Sequence, residues 1–251
     1  MKNQDFKQET EIVTRQFVDQ VDLYSQHESE VSSPVLPFLK KELTTFKRRE
    51  ATLKICEFGG GGGDLLRAIT KISKRKFILH NAELVKEYEH FQANKKIKFI
   101  HKSILDSNIK DDTYDVVIVR NVIHHLVNTS LAKTRINQRH AISELVRVTK
   151  PGGLILIDEQ VNYSAVACTL FFNLSWLATK LKLSVKSFQI TPNTIVGYLT
   201  RNELISFCKL VVPKKYWLAN SFDRWEPQWH WKLTMLMNNT GSAFIAMKKP
   251  L

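Results

Sequence analysis

Cysteine is scarce. There are three, at Cys56, Cys168 and Cys208, an odd number with no C-x-x-C pair. That excludes a disulfide framework and argues against a zinc site. Residues 1–13 contain no apolar core of a signal peptide, so the cytoplasm is the expected compartment, with peripheral contact at a membrane as the alternative. Repeats and low-complexity tracts are also missing. The longest uncharged stretch, Gln160–Thr179, carries Gln160, Asn162, Ser164, Thr169, Asn173 and Ser175 scattered through it. Polar groups so placed argue against a membrane span and for an amphipathic cover over a pocket, with an interfacial helix as second choice.

What is present suits one folded α/β domain over residues 1–251. The chain has 251 residues, 43% of them hydrophobic, enough for a full-sized core. Net charge is +13, with basic clusters at Lys40–Arg49, Lys71–Lys76, Lys95–Lys98 and Lys214–Lys215. Such clusters suit solvated helix ends; they also suit nucleic acid or an anionic membrane surface. No aromatics interleave them as a base-stacking platform requires.

Residues 1–50 read as a helical cap. It has an apolar stripe at Ile12, Phe17, Val18, Val21 and Tyr24, a break at Pro34 and Pro37, and a short helix near Phe38–Phe46. From residue 52 strands and helices alternate. Strands are expected at Leu53–Phe58, Lys76–His80, Ile97–His101, Tyr114–Val119 and Leu154–Asp158. Helices are expected with Leu65, Leu66, Ile69 and Ile72 on one face, with Leu84, Val85, Tyr88 and Phe91, and around Arg139–Thr149. Continuous apolar runs such as Val116–Val119 imply a doubly wound, mostly parallel sheet. Residues 161–251 are expected to supply a substrate cover and to complete the sheet. Within them, 198–210 is expected as a helix capped by Thr200 and Glu203, and Ser242–Lys249 as an edge strand.

The first strand runs into Gly59-Gly60-Gly61-Gly62-Gly63 and then a helix. Glycines let the backbone turn tightly and approach a ligand closely. A phosphate loop would need Gly-Lys-Ser/Thr where Gly63-Asp64-Leu65 stands. The dinucleotide fingerprint G-x-G-x-x-G fails in both registers, which put Asp64 or Leu65 at its last glycine, and an acidic residue is unfavourable beside a pyrophosphate. What remains is E-h-G-x-G-x-G from Glu57 to Gly63. It resembles motif I of the class I S-adenosylmethionine (SAM)-dependent methyltransferases. Asp112–Leu126 resembles that family's fourth-strand motif, and Glu144–Gly153 follows at the usual distance. Together the matches run in order from about residue 52 to 160, and the resemblance implies that the doubly wound, mostly parallel sheet is the seven-stranded, Rossmann-like one of that family.

The resemblance implies that Glu57 lies near the methionine part of SAM, with Gly59, Gly60, Gly61 and Gly63 turning beneath it. It places Asn81 and Ala82 at the ribose and Ser103 and Ile104 at the adenine. Arg120 and Asn121 complete the cofactor pocket. Asn81 and Ser103 stand where the family usually has acids, so the charge-assisted bond is lost there; Glu83 and Asp106 are the nearby substitutes. Those two departures motivate a third reading, a catalytically inactive SAM-fold binding protein. His124 and His125, at the carboxyl end of the fourth strand, are the candidate bases. The family's base-modifying members carry an N/D-P-P-Y/F motif where this chain has Arg120-Asn121-Val122-Ile123, which counts against a base-flipping enzyme. An RNA methyltransferase drawn by the net charge stays as an alternative. Apolar Val161–Leu183 and aromatic Tyr216–Trp231, with Trp217, Phe222, Trp225, Trp229, His230 and Trp231, are expected to line the acceptor pocket. They imply a small apolar or aromatic acceptor, such as a lipid, a quinone or a tailored natural product. Tyr24 is expected to close over the cofactor.

Overall fold

The computed structural model describes residues 33–45, 52–92, 94–183, 195–226 and 240–251, with positions 14, 17, 18, 229 and 232. Tyr24, His230 and Trp231 lie outside the described residues. Phe17 and Val18, from the expected N-terminal stripe, are helical.

Eight strands form one sheet: β1 (Thr52–Phe58), β2 (Lys76–Glu83), β3 (Ile97–His101), β4 (Tyr114–Arg120), β5 (Thr149–Asn162), β6 (Leu199–Thr200), β7 (Trp217–Trp225) and β8 (Thr240–Lys248). The main path is β3-β2-β1-β4-β5-β8-β7, seven strands as expected, and the two-residue β6 pairs with β5. Neighbours from β3 to β5 are parallel, and β8 alone runs against them. Val116, Val117, Ile118 and Val119 are wholly buried. Each such side chain contributes about 1.5–3 kcal/mol on leaving water.

Helices cover both faces. On one, α1 (Val35–Thr45) and α2 (Asp64–Ile72) bring Val35, Leu39, Leu65, Leu66 and Ile69 against Leu53, Ile55, Val116 and Ile118. Pro37 falls in the first turn of α1, where its missing N–H costs nothing. On the other, α3 (Leu131–Val148) and α5 (Arg201–Val211) pack on Val117, Val119, Ile155 and Ile157. The cap of α5 is the expected one: Thr200 accepts from the Glu203 amide, and Glu203 accepts from the Thr200 amide. The uncharged stretch becomes the end of β5 and then α4 (Ala165–Lys180), which buries Ala167, Cys168, Phe172, Ser175 and Ala178 and leaves Val166 and Leu177 exposed. Among the described residues no helix is long and apolar enough to cross a membrane.

Two expectations are corrected. Ser242–Lys249 is not an edge: β8 lies between β5 and β7, and β7 is the edge. Burial on both faces explains why β8 alternates so weakly in sequence. The helix expected around Leu84–Phe91 is a short 3-10 turn, Lys86–Phe91. The Glu83 carboxylate captures the Leu84 and Val85 amides, and the chain must return to β3 by Ile97.

No helix lies between β3 and β4. Residues 102–113 form turns with one bridge, Ser103 to Asp106. The face of β1–β3 opposite α1 and α2 is therefore partly uncovered, and Ile78, in the middle of β2, is 48% exposed.

Candidate active site

β1 delivers the glycine loop to the carboxyl end of the sheet, where open α/β sheets bind their ligands. Gly59, Gly61 and Gly63 have φ of +67°, +51° and +79°, a left-handed region that favours glycine. At Gly59 a side chain would also overlap Val122 Cγ2. The Gly59 amide donates to Ala82 O at 2.8 Å and the Gly63 amide to Gly60 O at 2.8 Å.

Polar side chains are buried beneath this loop. Glu57, only 1% exposed, accepts from Arg120 Nε through Oε1 at 3.4 Å. Its Oε2 has no partner. Asn81 Nδ2 donates to Gly61 O at 2.7 Å, while Asn81 Oδ1 has none. A Cβ at Gly60 would stand 2.6 Å from Asn81 Oδ1 and 2.9 Å from Glu57 Oε2, so both orphaned oxygens lie against that residue. Gln92 was not foreseen. Its Nε2 donates to Gly61 O at 3.4 Å, and its buried Oε1 is also unpartnered.

Glu83 is the last residue of β2 and braces the loop. Its Oε2 accepts from the Gly61 amide at 3.0 Å, and its Oε1 from Leu84 and Val85. Burial raises the pKa of both Glu57 and Glu83, because the charged form has lost its water; Arg120 partly offsets this at Glu57. At the third strand, Ser103 Oγ accepts from the Leu105 amide, Ile104 is buried, and Asp106 is exposed and accepts from Asn108. Asn121 is exposed with φ +51°, and its amide donates to Asp158 O.

The two histidines sit differently. His124 is buried, stacked on Tyr198 with ring centroids 5.0 Å apart, and its Nδ1 bonds Glu159. Glu159, also not foreseen, further accepts from the Ile123 amide at 2.7 Å and the Gln160 amide at 2.9 Å. His125 meets Phe17 edge-on, and burial together with neighbouring His124 holds its pKa well below the usual value.

An open cleft of about 670 Å³ runs over the ends of β4, β5 and β7, joined to the loop region through Arg120, which bonds Glu57. Arg120, Asn121, Asp158 and Gln160 form its floor, Leu36 and two prolines one wall, and Asp223 and Trp225 the other. Asp158 accepts from Ser33 Oγ at 2.8 Å and from Ser242 Oγ at 2.6 Å, tying the start of α1 to the cleft. Of the expected aromatic lining, Trp225 faces the cleft. Trp217 packs on the core with Nε1 donating to Val212 O, and Trp229 is exposed. The acidic pair Asp158-Glu159 at a strand end was a readable signal; nothing local marked Gln92.

A family model described as a methyltransferase domain matches residues 56–157. No curated protein matches the sequence. Among solved structures, the phosphoethanolamine N-methyltransferase 2 of Haemonchus contortus, in complex with phosphomonomethylethanolamine and S-adenosylhomocysteine, is similar at 15% identity and a TM-score of 0.54. The alignment covers 85% of this chain and 53% of that one, so the chain spans about half its length. The arsenic(III) S-adenosylmethionine methyltransferase CrArsM of Chlamydomonas reinhardtii matches at 15% identity and a TM-score of 0.54, over 79% of this chain and 64% of that one. The [4+2]-cyclase SpnF matches at 10% identity and a TM-score of 0.55, over 85% and 80%. At such identities the likeness concerns the fold, and a cyclase among these structures shows that the fold alone does not name a reaction.

Proposed function

We propose that this chain, whose residues 56–157 match a methyltransferase-domain model, is a class I SAM-dependent methyltransferase that moves a methyl group from SAM at the glycine loop to a small acceptor in the cleft between Arg120 and Trp225. One observation carries the reading: the orphaned Glu57 Oε2 and Asn81 Oδ1, both lying against Gly60 of the loop. A buried acceptor left without a donor costs about 1–3 kcal/mol. An incoming ammonium group relieves that cost and offsets the Glu57 charge, so the residues fit SAM. When bound, SAM supplies a methyl group already activated by positively charged sulfur.

The chain's own part is positioning. Glu57 and Asn81 hold the amino-acid end of the cofactor. Glu83, at the end of β2, takes the ribose hydroxyls, and the backbone around Ser103 and Ile104 the adenine. In the cleft, Leu36, Trp225 and the two prolines offer an apolar and aromatic seat, while Arg120, Asp158 and Gln160 fix a polar end. His125, with its lowered pKa, is a weak base, and His124 has one nitrogen committed to Glu159. The arrangement therefore suits an acceptor atom that brings its own lone pair, such as an amine.

Calorimetry with S-adenosylhomocysteine tests the cofactor half, and the absence of binding at high-micromolar ligand overturns it. A panel of small amines, phenols and quinols, read by mass spectrometry for methylated product, tests the acceptor half. Trp225→Ala is expected to raise the acceptor KM about tenfold, the loss of an aromatic contact worth about 1.4 kcal/mol, and to leave cofactor affinity unchanged.

A further inference from the structure

We propose that the uncovered face of β1–β3, with the loops at its amino edge, is a docking surface for the phosphate backbone of nucleic acid, apart from the acceptor cleft. The register sets the pattern. Lys54 pairs with Ile78 and Cys56 with His80 across β1 and β2; His80 pairs with Lys98 across β2 and β3. Lys76, two residues before Ile78, shares the face. Lys74 stands in the loop before β2, and Lys95 and Lys96 in the loop before β3.

Five of these six lysines are exposed and Lys54 is half-buried. Among the described residues none is in an ion pair. The sequence has no acidic residue between Asp64 and Glu83, nor between Glu89 and Asp106. The nearest buried carboxylate, Asp115, is already bound to Lys150 Nζ and to the Lys54 amide. The local field is strong enough to register on His80: burial first, then Lys54 and Lys98, lower its pKa to about 4.

Charge and surface chemistry choose the partner. Neighbouring strands are about 4.8 Å apart and same-face residues about 6.6 Å apart along a strand, so adjacent lysines can each reach a different phosphate. A membrane would be met by projecting apolar side chains beside the cations; here Ile78 is the large apolar side chain exposed on the face, and it sits mid-strand. Phe77 and Phe99 pack on the opposite face, and the one ring these strands leave partly open on this face, His80, is half-buried and turned edge-on to Tyr114, so no stacking platform is offered to bases. Phosphate contact alone predicts binding that is independent of sequence and steeply dependent on salt.

The test uses the full chain and a fluorescein-labelled single-stranded RNA of mixed sequence, read by anisotropy over a salt series. The triple variant Lys54→Gln, Lys76→Gln, Lys98→Gln is expected to lose at least about tenfold in affinity, and its log–log salt slope to fall by about 2, at roughly 0.7 per phosphate contact. The control Lys209→Gln, Lys214→Gln, on and just beyond α5, is expected to bind as the unaltered protein does. In the unaltered protein, the His80 imidazole followed by NMR is expected to show a raised pKa once RNA is bound, because phosphates offset Lys54 and Lys98. Equal binding by the triple variant, or a His80 signal indifferent to saturating RNA, overturns the proposal. So does a protein that ignores RNA and sediments with phosphatidylserine vesicles.

Discussion

Glu57 and Arg120 meet across the carboxyl ends of β1 and β4, Oε1 to Nε at 3.4 Å, and the pair is lopsided. The guanidinium is 26% exposed and keeps water, while the carboxylate is 1% exposed and one of its oxygens has no donor. The buried, half-satisfied carboxylate thus carries a desolvation cost.

That cost has a sign that pH can read. Burial raises the Glu57 pKa, so the folded state holds the proton more tightly than the unfolded chain does. The favourable contribution is full below the ordinary value of 4.5 and is lost as pH rises toward the raised value. Glu57→Gln should therefore melt higher than the unaltered protein at neutral pH, by about 2–4 °C for each kcal/mol relieved. The gap should widen as pH rises above 4.5 in differential scanning fluorimetry and level off once the buried carboxyl has lost its proton. SAM affinity should fall about tenfold, roughly 1.4 kcal/mol. A gap that stays constant with pH would contradict the assignment.

Gly59 and Val122 are coupled. Gly59→Ala places a methyl group on Val122 Cγ2 in a left-handed backbone, and should cost about 3 kcal/mol. Val122→Ala in the same chain should restore about 1 kcal/mol of that in urea denaturation. Gly61→Ala, with only Tyr88 nearby at 3.8 Å, should cost about 1–2 kcal/mol. Equal losses at the two glycines would mean that space does not decide the loop.

Glu159 gathers the Ile123 and Gln160 amides and the His124 ring in a buried position. Glu159→Gln should cost about 2–3 kcal/mol, because charge-assisted bonds are replaced by weaker ones or left unmade. Hydrogen exchange at Ile123 should accelerate. His124→Gln with normal stability and no methyl transfer would instead make His124 the base.

Arg135 holds Glu203 at 2.9 and 3.2 Å and donates to Gly197 O and Tyr198 O, binding α3, α5 and the approach to β6. Arg135→Ala should cost about 3 kcal/mol, the usual loss when one partner of such a network is removed. Burial pushes the nearby Cys168 thiol up to about 12 and keeps it inert. Labelling by a disulfide reagent should speed up in the variant, and an unchanged labelling rate would count against the network's role.

Much of this is legible in the sequence, for physical reasons. The capping box at Thr200 and Glu203 is local, so three residues suffice to specify it. The Val116–Val119 run announces burial on both faces. The glycine loop and its acidic lead-in Glu57 mark a strand that ends at a ligand. The contents of the site were less legible. β2 runs on to Glu83 rather than stopping at His80, which puts Glu83 at the strand end and Asn81 beneath the loop. Gln92 reaches Gly61 only because the segment after β2 shortens into a 3-10 turn, a tertiary outcome with no local mark. β8 lost its edge position in the same way: its small residues Ala243 and Ala246 read as weak alternation, whereas they face helices or strand neighbours on both sides.

The position of β8 bears on how the molecule is made. Leu154 pairs with Lys248 and Asn162 with Thr240, so β5 finds its second neighbour only after some ninety further residues have been synthesised. At roughly 5–20 residues per second, the half-finished sheet waits on the ribosome for several seconds with the apolar run Leu154–Ile157 unpaired on one side. Nascent chains of this protein should therefore be prone to aggregation during that interval, and removal of the last strand should yield insoluble chains rather than a smaller folded unit.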